Sequence, residues 1–450
     1  MSAPAPARAC AYLVLRRVFE RGAYADIALR TNATALDSRD RALAMRLIYG
    51  TVQRRGTLDY VIERLAGRAP ERLDAPLLAA LRLGCYELLY LRGAPDHAVV
   101  ADAVELAKGA SRGHGLVNAV LRRAAREGPA LLAELRDDTP ERAAVAHSHP
   151  LWIARLWWRE LGADDARALL AFDNEPAELA LRANTLLSDP ATLTRELASG
   201  DPPVSTRIDP RIPEALVVEG PVDLPRLPQW RSGALLAQSR GAMLPPRALA
   251  PRPGERVLDL CAAPGGKSTH LAALMENQGE VLAVERNPRR AADLQQTVRR
   301  LHASCVRVVL ADATQPLAGE GQFDRVLVDP PCSGLGTLQA RADLRWRITE
   351  QQVPELARTQ AAILAAGAAA VRPGGVLVYS TCTISPQENE RQIFNFMESN
   401  ADFSLDDLWG DNDRSDAPAL GTPVMDGRAV LTLPHRDRTA GFFLARLRRR

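Results

Sequence analysis

Lysine is almost missing from this chain of 450 residues: Lys108 and Lys267 are the two it has, and arginine supplies the rest of its 57 basic side chains. Codon usage in a GC-rich genome accounts for that bias, which leaves the placement of Lys267 as the informative fact. Cysteine is scarce and scattered. Cys10, Cys85, Cys261, Cys305, Cys332 and Cys382 form no C-x-x-C pair and no His–Cys cluster at metal-ligand spacing, so neither a disulfide framework nor a zinc site is expected. Long apolar runs are missing from the N-terminus, where Ala11–Leu15 is interrupted by Arg16 and Arg17. No signal peptide or membrane span is therefore expected, and a reducing cytoplasm is the expected compartment. There is no internal repeat, no long low-complexity tract and no G-x-G-x-x-G fingerprint for a dinucleotide. Charge of one sign is also lacking, with 57 basic against 54 acidic residues. That balance suits a polyanionic partner without establishing one.

What is present is an apolar fraction of 46%, enough for two to four domains at roughly 100–200 residues each. Residues 1–140 read as all-helical. Ala44, Leu47, Ile48 and Val52 share one face, Leu77, Leu81, Cys85 and Leu88 another, and Val117, Val120 and Leu121 a third. The arginines between them (Arg16, Arg17, Arg54, Arg55, Arg122, Arg123) read as solvated faces. A small α+β middle region, 145–235, runs from "HPLWIARLWWRELG" through "ELALRANTL" into a proline-rich stretch that suppresses long helices. Trp152, Trp157 and Trp158 can stack on bases, but at helical spacing they are read as core. The third region, 236–450, alternates the short apolar runs "RVLDL", "EVLAVE", "VRVVLAD", "DRVLVD" and "GVLVYST" with helical segments. That is the pattern of a doubly wound, Rossmann-like α/β sheet, whose ligands sit at the carboxyl ends of the strands.

The first of these strands ends in "DLCAAPGGKSTH", Asp259 to His270. Gly265 and Gly266 permit a tight turn and close approach to a ligand, ahead of a helix N-terminus. A triphosphate loop needs a glycine where Cys261 stands, which weakens a phosphate reading. The second strand ends in Glu285, placed to accept ribose hydroxyls, and Asn287-Pro288 caps the next helix. The third ends near Asp312, within reach of an adenine amino group. Together these favour adenosine with a short charged tail, which S-adenosylmethionine is.

The fourth strand ends in "LVDPPCSGLGT" and the fifth in "VYSTCTISPQENE", which brings Asp329, Cys332 and Cys382 to neighbouring strand ends. Asp-Pro-Pro alone also suits transfer to an amino nitrogen. Two thiols suit carbon-5 of a pyrimidine, which becomes nucleophilic only after a thiolate adds to carbon-6, and whose proton a second group then removes. The spacing leaves open which thiol attacks. Ser385 as N-cap, Pro386 at the first position and Glu388 closing a capping box predict a helix start just after Cys382. Its dipole, with Lys267, is expected to activate that thiol.

These residues resemble the Sun (RsmB) family of RNA cytosine-5 methyltransferases, related to the Nop2 and NSUN enzymes. The resemblance rests on Asp259–Lys267, Asp329–Gly334, Ser380–Thr383 and the terminal "GFFLARL". The N-terminal region resembles a NusB-type RNA-binding domain, notably in "RDRALAMRLIYGTVQRRGTLDYVI", "LRLGCYELLYL" and "GLVNAVLRR". The resemblance implies S-adenosylmethionine as cofactor, lined by Cys261, Ala262, Ala263, Pro264, Gly265, Gly266, Lys267, Glu285, Asp312 and Asp329. It implies Cys382 as the attacking thiol, Cys332 in proton removal and release, and Asp329 with Lys267 holding the cytosine and aiding protonation at N3. It further implies a monomer acting on free or partly assembled small-subunit ribosomal RNA at an unpaired or outward-flipped base. The chain departs from the family pattern at Glu285, where Asp is frequent, at Ser239, where a Gln-Asp pair is usual, and at Ala440, where Asp commonly precedes Gly-Phe-Phe. Transfer RNA is a rival substrate. A non-catalytic NusB-like RNA-binding or antitermination factor and an amino-methyltransferase are rival functions.

Overall fold

The apolar faces of the N-terminal region fold as helices at Pro6–Arg21, Ala25–Asn32, Ser38–Gln53, Arg55–Ala66, Ala75–Tyr86, Asp96–Lys108 and His114–Ala133. Ala44, Leu47, Ile48, Leu77, Leu81, Cys85, Val117, Val120 and Leu121 all lie in their shared core. This computed structural model describes residues 4–91, 93–109, 112–315, 322–410 and 420–450. The chain divides into two units, one of Met1–Glu175 with Arg341–Glu350 and the other of Pro176–Ala340 with Gln351–Arg450.

In the first unit, helices Pro140–Ala146, Leu151–Leu161 and Ala163–Phe172 complete the bundle. Trp157 is fully buried, as a core residue rather than a stacking platform. Several arginines expected on solvated faces have specific partners: Arg55 lies over the rings of Phe19 and Trp346, and Arg54 over Tyr90. The late segment Arg341–Glu350 joins this unit through a fully buried arginine. Arg345 donates to the carbonyls of Ser148 (3.1 Å) and Asp173 (3.0 Å), and the Trp346 indole donates to Val52 O at 2.8 Å. A buried guanidinium costs several kcal/mol without such acceptors, so this anchoring needs residues far apart in sequence to be present together.

The second unit holds two sheets. In the smaller, β1 (Ala180–Ala183), β2 (Ser205–Asp209), β3 (Ile212–Glu219) and β4 (Leu235–Ala237) are ordered β2-β3-β1-β4, all antiparallel. The larger has a parallel core of β5 (Arg256–Leu260), β6 (Glu280–Glu285), β7 (Val306–Leu310), β8 (Phe323–Val328) and β9 (Val371–Thr381), in the order β9-β8-β5-β6-β7. Helices cover this core, so its central strands are nearly continuous apolar runs. Gly367 in the helix Gln352–Ala370 shows how tight the cover is, because a Cβ there would stand 2.7 Å from Val328. Beyond the parallel pattern expected from sequence, β10 (Phe403–Leu405), β11 (Thr422–Val424), β12 (Ala429–Leu431) and β13 (Phe443–Arg449) extend the sheet antiparallel. The strand β13 pairs along β9 from Val376 to Thr381 and brings "GFFLARL" beside the strand that leads to Cys382. No helix among the described residues is long and apolar enough to cross a membrane.

Candidate active site

At the end of β5 the chain turns through Cys261, whose φ is +70°, to Gly265 at +105°. Gly265 N donates to Ala262 O at 2.9 Å, and Ala262 N donates to Val284 O of β6 at 2.9 Å. A Cβ on Gly265 would stand 2.8 Å from Leu294, so the turn needs glycine for both conformation and space. Helix Gly266–Leu274 follows and carries Lys267. Pro264 lies within this turn, and Ala263 O accepts from Arg290 at 2.8 Å. From the small sheet, the fully buried Arg182 donates to Gly266 O, to Thr269 Oγ1 at 2.9 Å and to Gln238 Oε1 at 2.6 Å. Sequence reasoning missed this clamp. Its one local signal is an arginine between Leu181 and Ala183 in an otherwise apolar strand.

Three carboxylates mark successive strand ends. Asp259 is buried, accepts from Ser268 Oγ at 2.6 Å through one oxygen and leaves Oδ1 unpartnered. Burial pushes its acid up to about 7, with the neighbouring Asp329 adding to the rise. Glu285 is also buried and accepts from Asn287 N at 2.8 Å, with Arg290 at 3.6 Å. Asn287 caps helix Pro288–Arg300 as its sequence predicts. Asp312 is exposed just past β7 and accepts from Thr314 N (2.9 Å) and Thr314 Oγ1 (2.8 Å), bonds that hold its acid below the ordinary value. A glycine cradle, an orphaned buried carboxylate oxygen and a carboxylate at the second strand end suit a nucleoside with a positively charged tail. The Cys261 thiol is pushed up to about 12 by burial, followed by the surrounding carboxylates. That suits a wall of the site rather than a nucleophile.

Asp329, just past β8, joins this loop to the next strand. Its Oδ2 accepts from Lys267 Nζ at 2.6 Å and its Oδ1 from Ser380 Oγ of β9 at 2.8 Å. Burial lowers the Lys267 ammonium, but Asp329 outweighs it and the net shift is upward, with Cys382 among the groups that favour the charge. The ammonium also lies 5.2 Å over the Phe442 ring. Cys332 and Cys382 meet with their sulfurs 3.2 Å apart. The Cys332 thiol is pushed well up, first by its hydrogen bond to Cys382, then by burial, then by the charges of Cys382, Glu388 and Asp329. The remaining thiols differ: Cys10 and Cys85 are buried in the helical core, and Cys305 packs half-buried against the sheet core.

The turn after Cys382 differs from expectation. The helix begins at Glu390, its N-cap position is Asn389 with no side-chain cap, and residues 386–389 form a turn. Ser385 is not the cap and Glu388 closes no capping box. Glu388 points inward instead, where its carboxylate accepts from Ser333 N at 2.8 Å, Gln360 Nε2 at 3.0 Å and the hydroxyls of Ser333 and Thr383. Those buried donors outcompete the local cap, and Tyr379 O–H donating to Glu388 O at 2.7 Å fixes the inward turn. No helix start therefore sits directly behind the thiol, and Lys267 is a cation that interacts with it. The Cys382 carbonyl accepts from Gly336 N at 3.0 Å, and Gly336 O accepts from Gly441 N at 2.7 Å, which ties both cysteine loops to the C-terminal segment. Of the departures from the family pattern, Ser239 caps helix Arg240–Leu249 and Ala440 O accepts from Thr432 Oγ1 at 2.8 Å.

Known proteins place this arrangement. Residues 246–448 match the sequence model of the 16S rRNA methyltransferase RsmB/F, residues 5–126 that of the NusB family, and residues 149–225 that of the RsmF/B-like ferredoxin-like domain. The Synechocystis protein named "Probable ribosomal RNA small subunit methyltransferase B" is 34% identical, over 98% of this chain and 99% of its own. The ribosomal RNA small subunit methyltransferase B of Cronobacter sakazakii is 31% identical over 98% of both. Among solved structures, that of PH0851 superposes with a TM-score of 0.82 at 27% identity, over 99% of each chain.

Proposed function

Because the chain belongs to the RsmB/F family of methyltransferases, which use S-adenosylmethionine, we propose that it methylates small-subunit ribosomal RNA at carbon-5 of a cytosine, through a covalent thiol adduct. The observation that carries the finer part is the 3.2 Å contact between Cys332 and Cys382 beside the Lys267–Asp329 pair. The cofactor supplies an electrophilic methyl group. Gly265 and Gly266 would give it room, Asp259 and Glu285 would hold its polar atoms, and Asp312 would face its adenine end.

Cys382, as thiolate, forms the Sγ–C6 bond, while Lys267 and Asp329 hold the ring and aid protonation at N3. Carbon-5 then takes the methyl group, whose bond to sulfur breaks with the electron pair leaving on that sulfur as a neutral thioether. Forming the Sγ–C6 bond removes two of the influences that raise the Cys332 acid, the hydrogen bond to the Cys382 sulfur and that sulfur's charge, and Cys332 gives its proton to solvent at that stage. Its thiolate then takes the proton from carbon-5, the C5–H electrons restore the C5–C6 double bond, the Sγ–C6 bond breaks, and N3 gives up its proton. Cys382 returns as thiolate and Cys332 as thiol. The NusB-like region and the ferredoxin-like region supply grip on the surrounding RNA, and the same reading has the protein act as a cytoplasmic monomer.

Cys332→Ala and Cys382→Ala proteins, incubated with S-adenosylmethionine and either protein-free small-subunit ribosomal RNA or bulk transfer RNA, test this on a denaturing gel. Cys332→Ala is expected to accumulate a protein–RNA adduct with ribosomal RNA. Cys382→Ala is expected to give none and to lose turnover by roughly 10⁴-fold or more. The reverse pattern would exchange the thiol roles, and an adduct with transfer RNA alone would reassign the substrate. No adduct from either variant, with wild-type turnover intact, removes covalent catalysis.

A further inference from the structure

We infer that Glu388 is a positioning residue which fixes the spacing of the two thiols by clamping the loops that carry them; this rests on the covalent reading above. Ser333 directly follows Cys332, and Thr383 directly follows Cys382. One carboxylate bonds to both. Oε1 accepts from Ser333 N at 2.8 Å, and Oε2 accepts from Ser333 Oγ and from Thr383 Oγ1 at 3.3 Å. The two hydroxyls also meet each other at 2.7 Å, which closes a ring of contacts across the loops. Gln360 adds a third anchor from the covering helix, donating to Glu388 Oε1 at 3.0 Å and to Pro331 O, one residue before Cys332, at 3.0 Å.

A carboxylate is a costly choice for this place. Glu388 is fully buried, its four donors are neutral, and burial raises its acid despite them. An apolar side chain would avoid burying a charge but would leave Ser333 N–H and Gln360 Nε2 without this acceptor, so the carboxylate is matched to the donors around it. What a carboxylate offers is acceptor capacity on two oxygens held in one plane, enough to bond both loops at once. Glutamine at the same position has a single acceptor oxygen and turns an N–H₂ toward donors. The carboxylate acts through Ser333 and Thr383, on a contact in which about 1 Å of misplacement costs about 100-fold.

The test uses full-length Glu388→Gln, Glu388→Asp and Ser333→Ala proteins. Phenylarsine oxide, which captures two thiols held close together, reads the spacing without RNA or methyl transfer, and steady-state kinetics are measured alongside. Glu388→Gln is expected to capture the arsenical at least about ten-fold more slowly and to lose about 100-fold in kcat, with KM for S-adenosylmethionine within about two-fold of wild type. Ser333→Ala is expected to fall between it and wild type, and Glu388→Asp to recover part of the loss. Should Glu388→Gln fail to fold, Ser333→Ala decides by the same readouts. Folded variants with wild-type capture and wild-type kcat overturn the inference. The capture readout stands whether or not Cys332→Ala yields an adduct, so failure of the clamp and failure of covalent catalysis are distinguishable.

Discussion

At the ends of β5, β6 and β7, each carboxylate is held by atoms close to it along the chain: Asp259 by Ser268, Glu285 by Asn287 and Asp312 by Thr314. At the ends of β8 and β9 the groups are held from far away. Lys267 reaches Asp329, Ser380 reaches Asp329, Ser333 reaches Glu388, and Gly336 reaches the Cys382 carbonyl. On the proposed mechanism, the difference matches what each half has to do. A cofactor site works with each contact placed separately, whereas a bond-forming step needs two sulfurs from distant segments at one fixed separation. Arg182 is the exception on the cofactor side, a long-range clamp on Gly266 O that adds to the local contact from Thr269 Oγ1 at 3.3 Å.

Asp329 sits where the two halves meet, so its removal should hurt most. Asp329→Ala leaves the Lys267 ammonium largely buried without its counter-charge, and a loss of about 3–5 kcal/mol is expected in denaturant unfolding, together with loss of turnover. A loss under about 1 kcal/mol would mean that the seam between the halves is not structural.

Asp259 gives a smaller effect with a defined pH dependence. Its folded-state acid lies near 7, above the ordinary value of 3.8, so the stability it contributes is present below about pH 4 and is lost as pH rises through 7. Asp259→Asn removes that penalty. The variant should therefore gain on wild type between pH 4 and 7, by on the order of 3 kcal/mol, in paired unfolding curves. Parallel curves across that range would show that Asp259 does not titrate there.

The locally held carboxylates should give the mildest outcomes. Glu285→Gln is expected to weaken S-adenosylmethionine binding about ten-fold in calorimetry, the loss of one charge-assisted hydrogen bond. Asp312→Asn, at an exposed position, is expected to weaken it by less than about five-fold and to change stability by about 0.5 kcal/mol or less. If either variant unfolds the protein, the distinction between locally and remotely held halves fails.

Legibility followed the same division. The helical faces of the N-terminal region, the five parallel strands, the glycine turn and the Asn287 cap were readable because each depends on a periodicity or a contact spanning a few residues. The meeting of Cys332 and Cys382 was readable only as two strand ends that adjacent placement would bring together. The role of Glu388 was misread, because Ser-Pro-x-Glu is a sound local cap and nothing nearby announces the donors on Ser333, Gln360 and Thr383. Arg345 was missed for the same reason: its carbonyl partners lie in a region some two hundred residues earlier in the chain.

Periodicity and local hydrogen bonding are encoded within a turn or two of chain, so the sequence by itself determined which elements form, which residues stand at the strand ends and which cofactor they suit. The sulfur–sulfur contact, the inward turn of Glu388, the Arg182 clamp and the docking of Arg341–Glu350 on the helical unit were decided only by tertiary structure. Each is a buried polar arrangement whose partners are brought within about 3 Å by packing, and burial makes an unmet donor or charge cost more than any local preference can repay.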